Sequence, residues 1–188
     1  MSEAARHTAL LVVDGINAFY DPQGPDYYPK VDSTVGPILA LLRRARERGT
    51  LIVHAVERHR AGLDDFEWRV LPEHSFTGTF DSEIFPPFTP MRSERELELH
   101  KRRFSAFFAT DLALMLHEQR IATVVVAGVK TNVCIRATVQ DAFANGFSVA
   151  VVREATNSNR PHLAEASLED IARYMGRVVA LEEAIELL

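Results

Sequence analysis

Short apolar runs of strand length recur along this chain, and helical patterns separate them. Four runs have this character: residues 9–14 (ALLVVD), 50–56 (TLIVHAV), 122–127 (ATVVVA) and 148–152 (SVAVV). Runs without polar alternation are typical of strands covered on both faces, and parallel neighbours need the crossover connections that helices supply. The pattern therefore predicts an α/β fold with three α/β/α layers, Rossmann-like, with a mostly parallel central sheet and helices on both faces.

The helical segments have recognisable ends. The first is capped by Asp32 or Ser33 and stopped by Gly49, and a later one starts at Pro161 and runs to about residue 174. Residues 57–100 lack periodicity, which indicates a long connection over one edge of the sheet. A chain of 188 residues is long enough for one well-buried core, so we predict a single domain over residues 1–188.

Composition and charge exclude several classes of protein. The net charge is −5, and Lys and Arg are scattered among Asp and Glu, which leaves no basic stripe for nucleic acid. No apolar run approaches the length of a membrane span, and the first seven residues resemble neither a signal nor a transit peptide. We therefore predict a cytoplasmic protein with neither nucleic-acid nor membrane partners.

The only cysteine, Cys134, lies where an apolar strand breaks at Gly128 and leads into a helical pattern. Such a turn points backbone N–H groups and the positive end of the helix dipole at the sulfur, which favours the thiolate. Asp14 ends the first strand, and a desolvated carboxylate there can accept the thiol proton. Both groups follow strands whose carboxyl ends share one edge of the sheet. From these residues alone, a buried structural cysteine and a turn-capping aspartate remain open alternatives.

Three motifs resemble those of the isochorismatase-like cysteine hydrolases and follow that family's order. They are residues 12–19 (VVDGINAF), 101–107 (KRRFSAF) and 128–134 (GVKTNVC). The resemblance implies a catalytic triad of Asp14, Lys101 and Cys134. It also implies a non-proline cis peptide between Val129 and Lys130, which would aim the N–H groups of Lys130 and Cys134 at one point as an oxyanion hole. The family's usual assemblies imply a homodimer or homotetramer.

The same resemblance implies an activity. It is hydrolysis of a C–N bond in a small carbamoyl, ureido or carboxamide compound, through a thioester-type intermediate on Cys134, as in relatives that act on N-carbamoylsarcosine, ureidoacrylate or nicotinamide. True isochorismatases lack the nucleophilic cysteine, so Cys134 argues against vinyl ether chemistry. Two alternatives stay open: a nicotinamidase-like amidase, and a non-catalytic protein of the same fold that uses its thiol for binding or redox sensing. No cofactor is expected.

Five residues are candidates for substrate contact. Two are aromatic and could form a pocket wall, and three lie on the donor-rich loop after the fourth strand: Phe19, Trp68, Asn157, Asn159 and Arg160. That loop resembles the substrate loop of relatives acting on N-carbamoyl and ureido compounds. Arg58, His59 and Arg60, at the expected end of the second strand, could supply positive charge to the same cleft or form a solvated turn.

This chain departs from the metal-ligand pattern of the family's nicotinamidases. Those relatives bind a metal through an aspartate and two histidines, with Asp-x-His just after the second strand. This chain has Glu57-Arg-His59 at that point. The nearest further ligand, His54, lies inside an apolar strand and is expected to be a packed histidine, so we predict no metal.

Overall fold

The computed structural model describes residues 7–91 and 93–188 and shows a six-stranded sheet. The strands are β1 (Thr8–Val13), β2 (Leu51–Glu57), β3 (Glu96–Lys101), β4 (Thr123–Val129), β5 (Ser148–Asn157) and β6 (Arg177–Val179). They lie in the order β3-β2-β1-β4-β5-β6, and every pair of neighbours is parallel. The predicted α/β architecture is confirmed, and the sheet is wholly rather than mostly parallel.

Helices cover both faces of the sheet. They are α1 (Asn17–Tyr20), α2 (Val35–Arg48), α3 (Leu112–Glu118), α4 (Arg136–Ala144), α5 (Pro161–Tyr174) and α6 (Leu181–Leu187). Short 3₁₀ turns span Pro29–Thr34, Phe66–Arg69, Phe80–Ser82 and Pro86–Phe88. The first, second and sixth helices pack on one face, and the third, fourth and fifth on the other. Within residues 7–91 and 93–188, no helix is both long enough and apolar enough to span a bilayer.

The central strand explains why its sequence is continuously apolar. Leu10 and Val12 of β1 face one helical layer, whereas Leu11 and Val13 face the other, and all four side chains are fully buried. Successive side chains of a strand point to opposite faces, so a strand with two covered faces has no position for a polar residue. The chain reverses its direction of winding between β1 and β4, and this places a crevice at their carboxyl ends.

Gly128 allows β4 to approach β1 closely beside this crevice. Its φ is +116°, and a Cβ atom there would lie 2.0 Å from the carbonyl oxygen of Val13. Because any side chain would collide with the backbone of β1, only glycine fits. The carboxyl ends of the two strands are thereby held side by side.

Two details of the fold differ from prediction. Residues 57–100 were predicted to be a long connection over one edge of the sheet, but they contain most of β3, an edge strand whose neighbour in the described sheet is β2. Helix α2 is not capped by Asp32 or Ser33, because both residues lie within the 3₁₀ turn that precedes it. The predicted stop is confirmed, since Gly49 ends α2 in the left-handed conformation with φ +68°.

The edge strand is tied to the sheet by a buried carboxylate. Glu96 accepts hydrogen bonds from Arg46 at 2.7 and 3.0 Å and lies 2.8 Å from Nε2 of His54. Burial alone would raise the pKa of Glu96, but these partners outweigh it and lower the pKa from 4.5 to about 2. His54 is therefore a packed histidine, as predicted.

Glu96→Gln is expected to destabilise the protein by about 2 kcal/mol at neutral pH. Since the folded-state pKa of Glu96 is depressed, its contribution is present above the unfolded value of 4.5 and fades as the pH falls towards 2. Urea unfolding of both proteins at several pH values measures this. The exposed Glu94→Gln is the matched control, and an equal loss in both variants would contradict the role of Glu96.

Candidate active site

Three buried side chains meet at the carboxyl edge of the sheet. Asp14 follows β1, Lys101 is the last residue of β3, and Cys134 lies in the turn after β4. Nζ of Lys101 lies 2.9 Å from Oδ2 of Asp14 and 3.7 Å from Sγ of Cys134. All three residues are at most 5% exposed. The fold thus brings together the three residues that the sequence motifs predicted as a triad.

The backbone holds the Asp14 carboxylate in place. Asp14 has a φ of +52°, and its N–H donates to the carbonyl of Ala55 at 2.8 Å. A positive φ is unfavourable for a residue with a Cβ atom and tends to occur at functional sites. The N–H of Glu57 donates to Oδ1 of Asp14 at 3.0 Å, which leaves Oδ2 directed towards Lys101.

The turn that carries Cys134 is one turn of π-helix, Thr131–Ile135, directly before α4. A cis peptide bond joins Val129 to Lys130, as the family resemblance implies. The carbonyl of Lys130 accepts from the N–H groups of Val133 and Ile135 at 3.0 and 3.3 Å. Lys130 and Cys134, at the two ends of this turn, both line the same cavity.

Burial governs the proton on the sulfur. It raises the pKa of the Cys134 thiol well above its usual value, and the positive charge of Lys101 opposes this only in part. The prediction that the turn alone favours a thiolate is therefore wrong for the free protein. Burial also raises the pKa of Asp14 against the effect of Lys101, which makes its carboxylate a better proton acceptor, as predicted.

Lys101 forms ion pairs with two carboxylates, those of Asp14 and Glu57. Oε1 of Glu57 lies 3.9 Å from Nζ of Lys101, and the side chain of Glu57 is 3% exposed. Burial opposes the charge on Lys101, but the neighbouring Asp14, Cys134 and Glu57 prevail and raise its pKa. Lys101 also donates to the carbonyl of Arg103 at 3.2 Å. The ammonium is therefore a fixed positive charge between two carboxylates and the thiol.

Cys134 lines a cavity of about 680 Å³, with Asp14 and Lys101 buried behind it. Its walls combine aromatic and polar side chains, including Phe19, His74, Phe104, Lys130, Asn132 and Arg136. A cavity of this size fits a small organic molecule. Of the five residues predicted to contact substrate, only Phe19 lies on the wall. The side chain of Lys130 pairs with Asp26 at 3.2 Å, and its Nζ lies 5.2 Å from the Phe19 ring centroid.

Trp68 does not reach this cavity. Its ring packs on His59 and His74, with centroid distances of 4.5 and 5.3 Å, and on Phe76 at 5.9 Å. The prediction of substrate contact is corrected, since Trp68 instead packs within the long connection and against His59. The sequence alone could not distinguish the two roles, because an aromatic residue in a long connection looks the same whether it contacts substrate or packs the connection down.

The loop after the fourth strand also differs from prediction. Asn157 still belongs to β5, and its side chain donates to the Lys30 carbonyl at 2.7 Å and accepts from the hydroxyl of Tyr28 at 2.8 Å. These contacts saturate its amide with structural partners. Asn159 and Arg160 are exposed before α5 and line none of the 680 Å³ cavity. The prediction that these three residues bind substrate is therefore corrected.

Metal-ligating groups gather beside the triad in a way that the sequence did not predict. Glu57, His59 and His74 each offer one ligand atom, and these atoms lie within 4.8 Å of one another. His54 is not part of the set. His74 comes from the connection after β2, and sequence reasoning missed it because nothing in the local pattern links it to Glu57, 17 residues earlier.

The ring orientations of these histidines fit a metal. Nδ1 of His74 lies 2.7 Å from the carbonyl of Pro72, and Nδ1 of His59 lies 3.1 Å from Oδ2 of Asp65. Each Nδ1 therefore donates outward, which turns each Nε2 towards Glu57 as in metal-bound histidines. Among the described residues, the buried atoms His59 Nε2 and Glu57 Oε1 have no hydrogen-bond partner. The donor set of two imidazoles and a carboxylate suits Zn²⁺.

Titration of the metal-free protein with Zn²⁺ is expected to show about one tight site per chain. His74→Ala is expected to weaken binding by about 10- to 100-fold, because it removes one ligand. The exposed His162→Ala is the matched control and should leave the affinity unchanged. Calorimetry and metal content after dialysis measure both. Equal affinity in the two variants would show that this cluster does not bind the ion.

Fold and site together define a class: a parallel α/β protein with a thiol, a carboxylate and an ammonium at the carboxyl edge of its sheet. Comparison with known proteins identifies the family. Residues 8–183 match the isochorismatase domain, and the chain belongs to the isochorismatase-like hydrolase family.

Relatives and solved structures agree with this assignment. Maleamate amidohydrolase from Pseudomonas putida is 35% identical, over 97% of this chain and 87% of that protein. N-carbamoylsarcosine amidase from an Arthrobacter species is 28% identical, over 96% and 70%. An isochorismatase-like hydrolase from Alkaliphilus metalliredigens superposes with a TM-score of 0.87 at 34% identity, covering 95% of this chain and 97% of that one. These relatives include amidases that cleave C–N bonds.

Proposed function

We propose that this protein is a cysteine-dependent amidohydrolase that cleaves the C–N bond of a small carboxamide, ureido or carbamoyl compound. The observation that carries the proposal is the buried Lys101, 2.9 Å from Asp14 and 3.7 Å from the sulfur of Cys134, which itself lines a cavity of about 680 Å³. Such a cavity admits a small amide but not a folded polypeptide. Similarity to maleamate amidohydrolase makes maleamate the first substrate to test.

The first half of the reaction transfers the substrate carbonyl to sulfur. Asp14 takes the proton of the Cys134 thiol as sulfur attacks the carbonyl carbon, and a C–S bond forms. The raised pKa of Asp14 favours this transfer, since it strengthens the carboxylate as a base. The N–H groups of Lys130 and Cys134 stabilise the oxyanion, and Lys101 stabilises the added negative charge. The C–N bond then breaks, and the leaving nitrogen takes the proton from Asp14.

The second half releases the acid. Asp14, again a carboxylate, takes a proton from water, and the hydroxide attacks the thioester carbon. The C–S bond breaks, and the sulfur regains its proton from Asp14, so the enzyme returns to its starting form. Lys101 remains charged throughout, because its raised pKa keeps the ammonium protonated. A divalent metal held by Glu57, His59 and His74 would supply a Lewis acid for a polar group of the substrate.

The assignment is tested by ammonia release from a panel of maleamate, N-carbamoyl amino acids, ureidoacrylate, biuret and nicotinamide. We expect turnover of at least one compound and its complete loss after alkylation with iodoacetamide. Because Cys134 is the only cysteine, one added carbamidomethyl group per chain accounts for the loss. A good substrate should slow the alkylation, since both compete for the same sulfur.

Two outcomes would reject the amidohydrolase. One is turnover that persists in fully alkylated protein. The other is tight binding of a panel compound without ammonia release, combined with reversible oxidation of Cys134, which would support the thiol-based binding protein instead. Preference for nicotinamide over maleamate would favour the nicotinamidase-like alternative within the same chemistry.

A further inference from the structure

A second cavity, of about 300 Å³, lies beside β2 and β3 and shares no wall residue with the active-site cavity. Residues near positions 58, 77 and 100–109 line it, among them Arg58, Arg60, His100, Arg102, Arg103 and Phe108. Among residues 7–91 and 93–188, four arginines and a histidine but no carboxylate line this wall. Arg58 and Arg60 were candidates for the substrate cleft, but the fold instead places them beside Arg102 and Arg103, which follow Lys101.

The positive charge of this cavity is only partly balanced. Arg58 pairs with Glu98 at 2.7 Å, and Arg103 pairs with Asp65 at 2.8 Å. Across residues 7–91 and 93–188, the guanidinium groups of Arg60 and Arg102 have neither a hydrogen bond nor an ion pair. Both are exposed. Two uncompensated cations therefore border one small concavity in a chain whose net charge is −5.

Guanidinium groups indicate the kind of anion that fits. Each presents a rigid fork of N–H donors that matches two oxygens of a phosphate or carboxylate. A carboxylate has two oxygens and one charge, whereas a phosphate monoester has three terminal oxygens and nearly two charges, which suits several arginines at once. Phe108 is 58% exposed and adds an apolar ring to the wall. Aromatic rings and arginines together favour a phosphate attached to a planar organic group.

We propose that this cavity binds the phosphate group of a small phosphorylated molecule. The site is separate from the hydrolytic centre, and its occupation does not depend on the proposed amide chemistry. Two hydrogen bonds connect the wall of this cavity to the triad. The backbone N–H of Arg58 donates to the Lys101 carbonyl at 2.9 Å, and Nζ of Lys101 donates to the Arg103 carbonyl. The ligand therefore binds on the segment that positions the catalytic ammonium.

Calorimetric titration with inorganic phosphate and with adenosine monophosphate tests the proposal at low ionic strength. We expect one saturable site per chain, and at least a tenfold higher Kd, about 1.4 kcal/mol, in the Arg60→Ala/Arg102→Ala variant. The matched control is Arg43→Ala/Arg153→Ala, which removes the same charge from exposed positions elsewhere. Phe108→Ala should reduce the advantage of adenosine monophosphate over phosphate. Cys134→Ala should bind like the unmodified protein, whatever the fate of the amidohydrolase assignment.

Three results would overturn the phosphate site. The first is the absence of saturable binding of either probe. The second is an equal loss of affinity in the control variant, which would mean that net charge alone attracts the anion. The third is light scattering that shows a smaller assembly for Arg60→Ala/Arg102→Ala without any phosphate binding, because the arginines would then meet an acidic surface of a second copy.

Discussion

Replacing Cys134 by alanine is expected to lower kcat for the best panel substrate by about four to six powers of ten. No other thiol exists in the chain to replace it as nucleophile. The side chain is 5% exposed and lies at the active-site cavity, so its removal leaves only a small void, with an expected loss of stability of about 1 kcal/mol. Ammonia release measures the rate, and urea unfolding shows that the fold persists.

A second variant separates the loss of the thiol from the loss of side-chain volume. Cys134→Ser nearly keeps the size of the side chain and replaces the thiol by a hydroxyl that Asp14 and Lys101 can contact. A hydroxyl holds its proton more tightly than a thiol. We expect it to be as inactive as the alanine variant and as stable as the original protein. Rapid quenching of the original protein should give a substrate adduct on Cys134 by intact mass. Activity in either variant, or an adduct on another residue, would remove this thiol from the mechanism.

The central sheet could be predicted because burial on both faces leaves a clear trace in the sequence. Strands β1 and β4 read as unbroken apolar runs, since every one of their side chains meets a helical layer or a neighbouring strand. Asp14 stands out because it ends such a run with a carboxylate. Cys134 stands out because it is the only thiol and follows an apolar run that ends in glycine and valine.

The edge strand β3 could not be recognised in the same way. Its sequence, ELELHK, mixes charged and apolar residues, because β3 lies at the edge of the described sheet beside β2 and part of one face is exposed to solvent. Lys101 looks from composition like one more charge in Lys101-Arg102-Arg103, and only the motif singled it out. Its burial depends on where β3 ends in the sheet, which is a property of the fold rather than of the local pattern.

The walls of the cavity depend even more on how distant segments meet. His74 reaches Glu57 only because the connection after β2 folds back over the sheet edge. Asn157 looked like a substrate ligand because it follows a strand and carries an amide, yet that amide holds the 3₁₀ turn at Pro29–Thr34. A polar residue at the end of a strand has the same sequence signature in both roles.

Replacing Lys101 by methionine is expected to have the second largest effect, on stability and on rate together. The change keeps the length of the side chain but leaves Asp14 and Glu57 buried without their shared positive partner. Loss of one member of a buried ion pair costs about 3–5 kcal/mol. Lys101 also lowers the pKa of the thiol, so its loss should raise that pKa further and reduce kcat by about 10³-fold or more.

The double variant Asp14→Asn/Lys101→Met separates these two effects. Removing the stranded carboxylate should recover part of the lost stability, because fewer unpaired charges stay buried, whereas the rate should stay low for lack of a base. Exposed Lys30→Met is the matched control and should change neither quantity. Urea unfolding and the pH dependence of iodoacetamide alkylation measure stability and thiol pKa. If Lys101→Met keeps full stability, or alkylates at the same pH as the original protein, Lys101 does not balance this charge cluster and its place in the mechanism is lost.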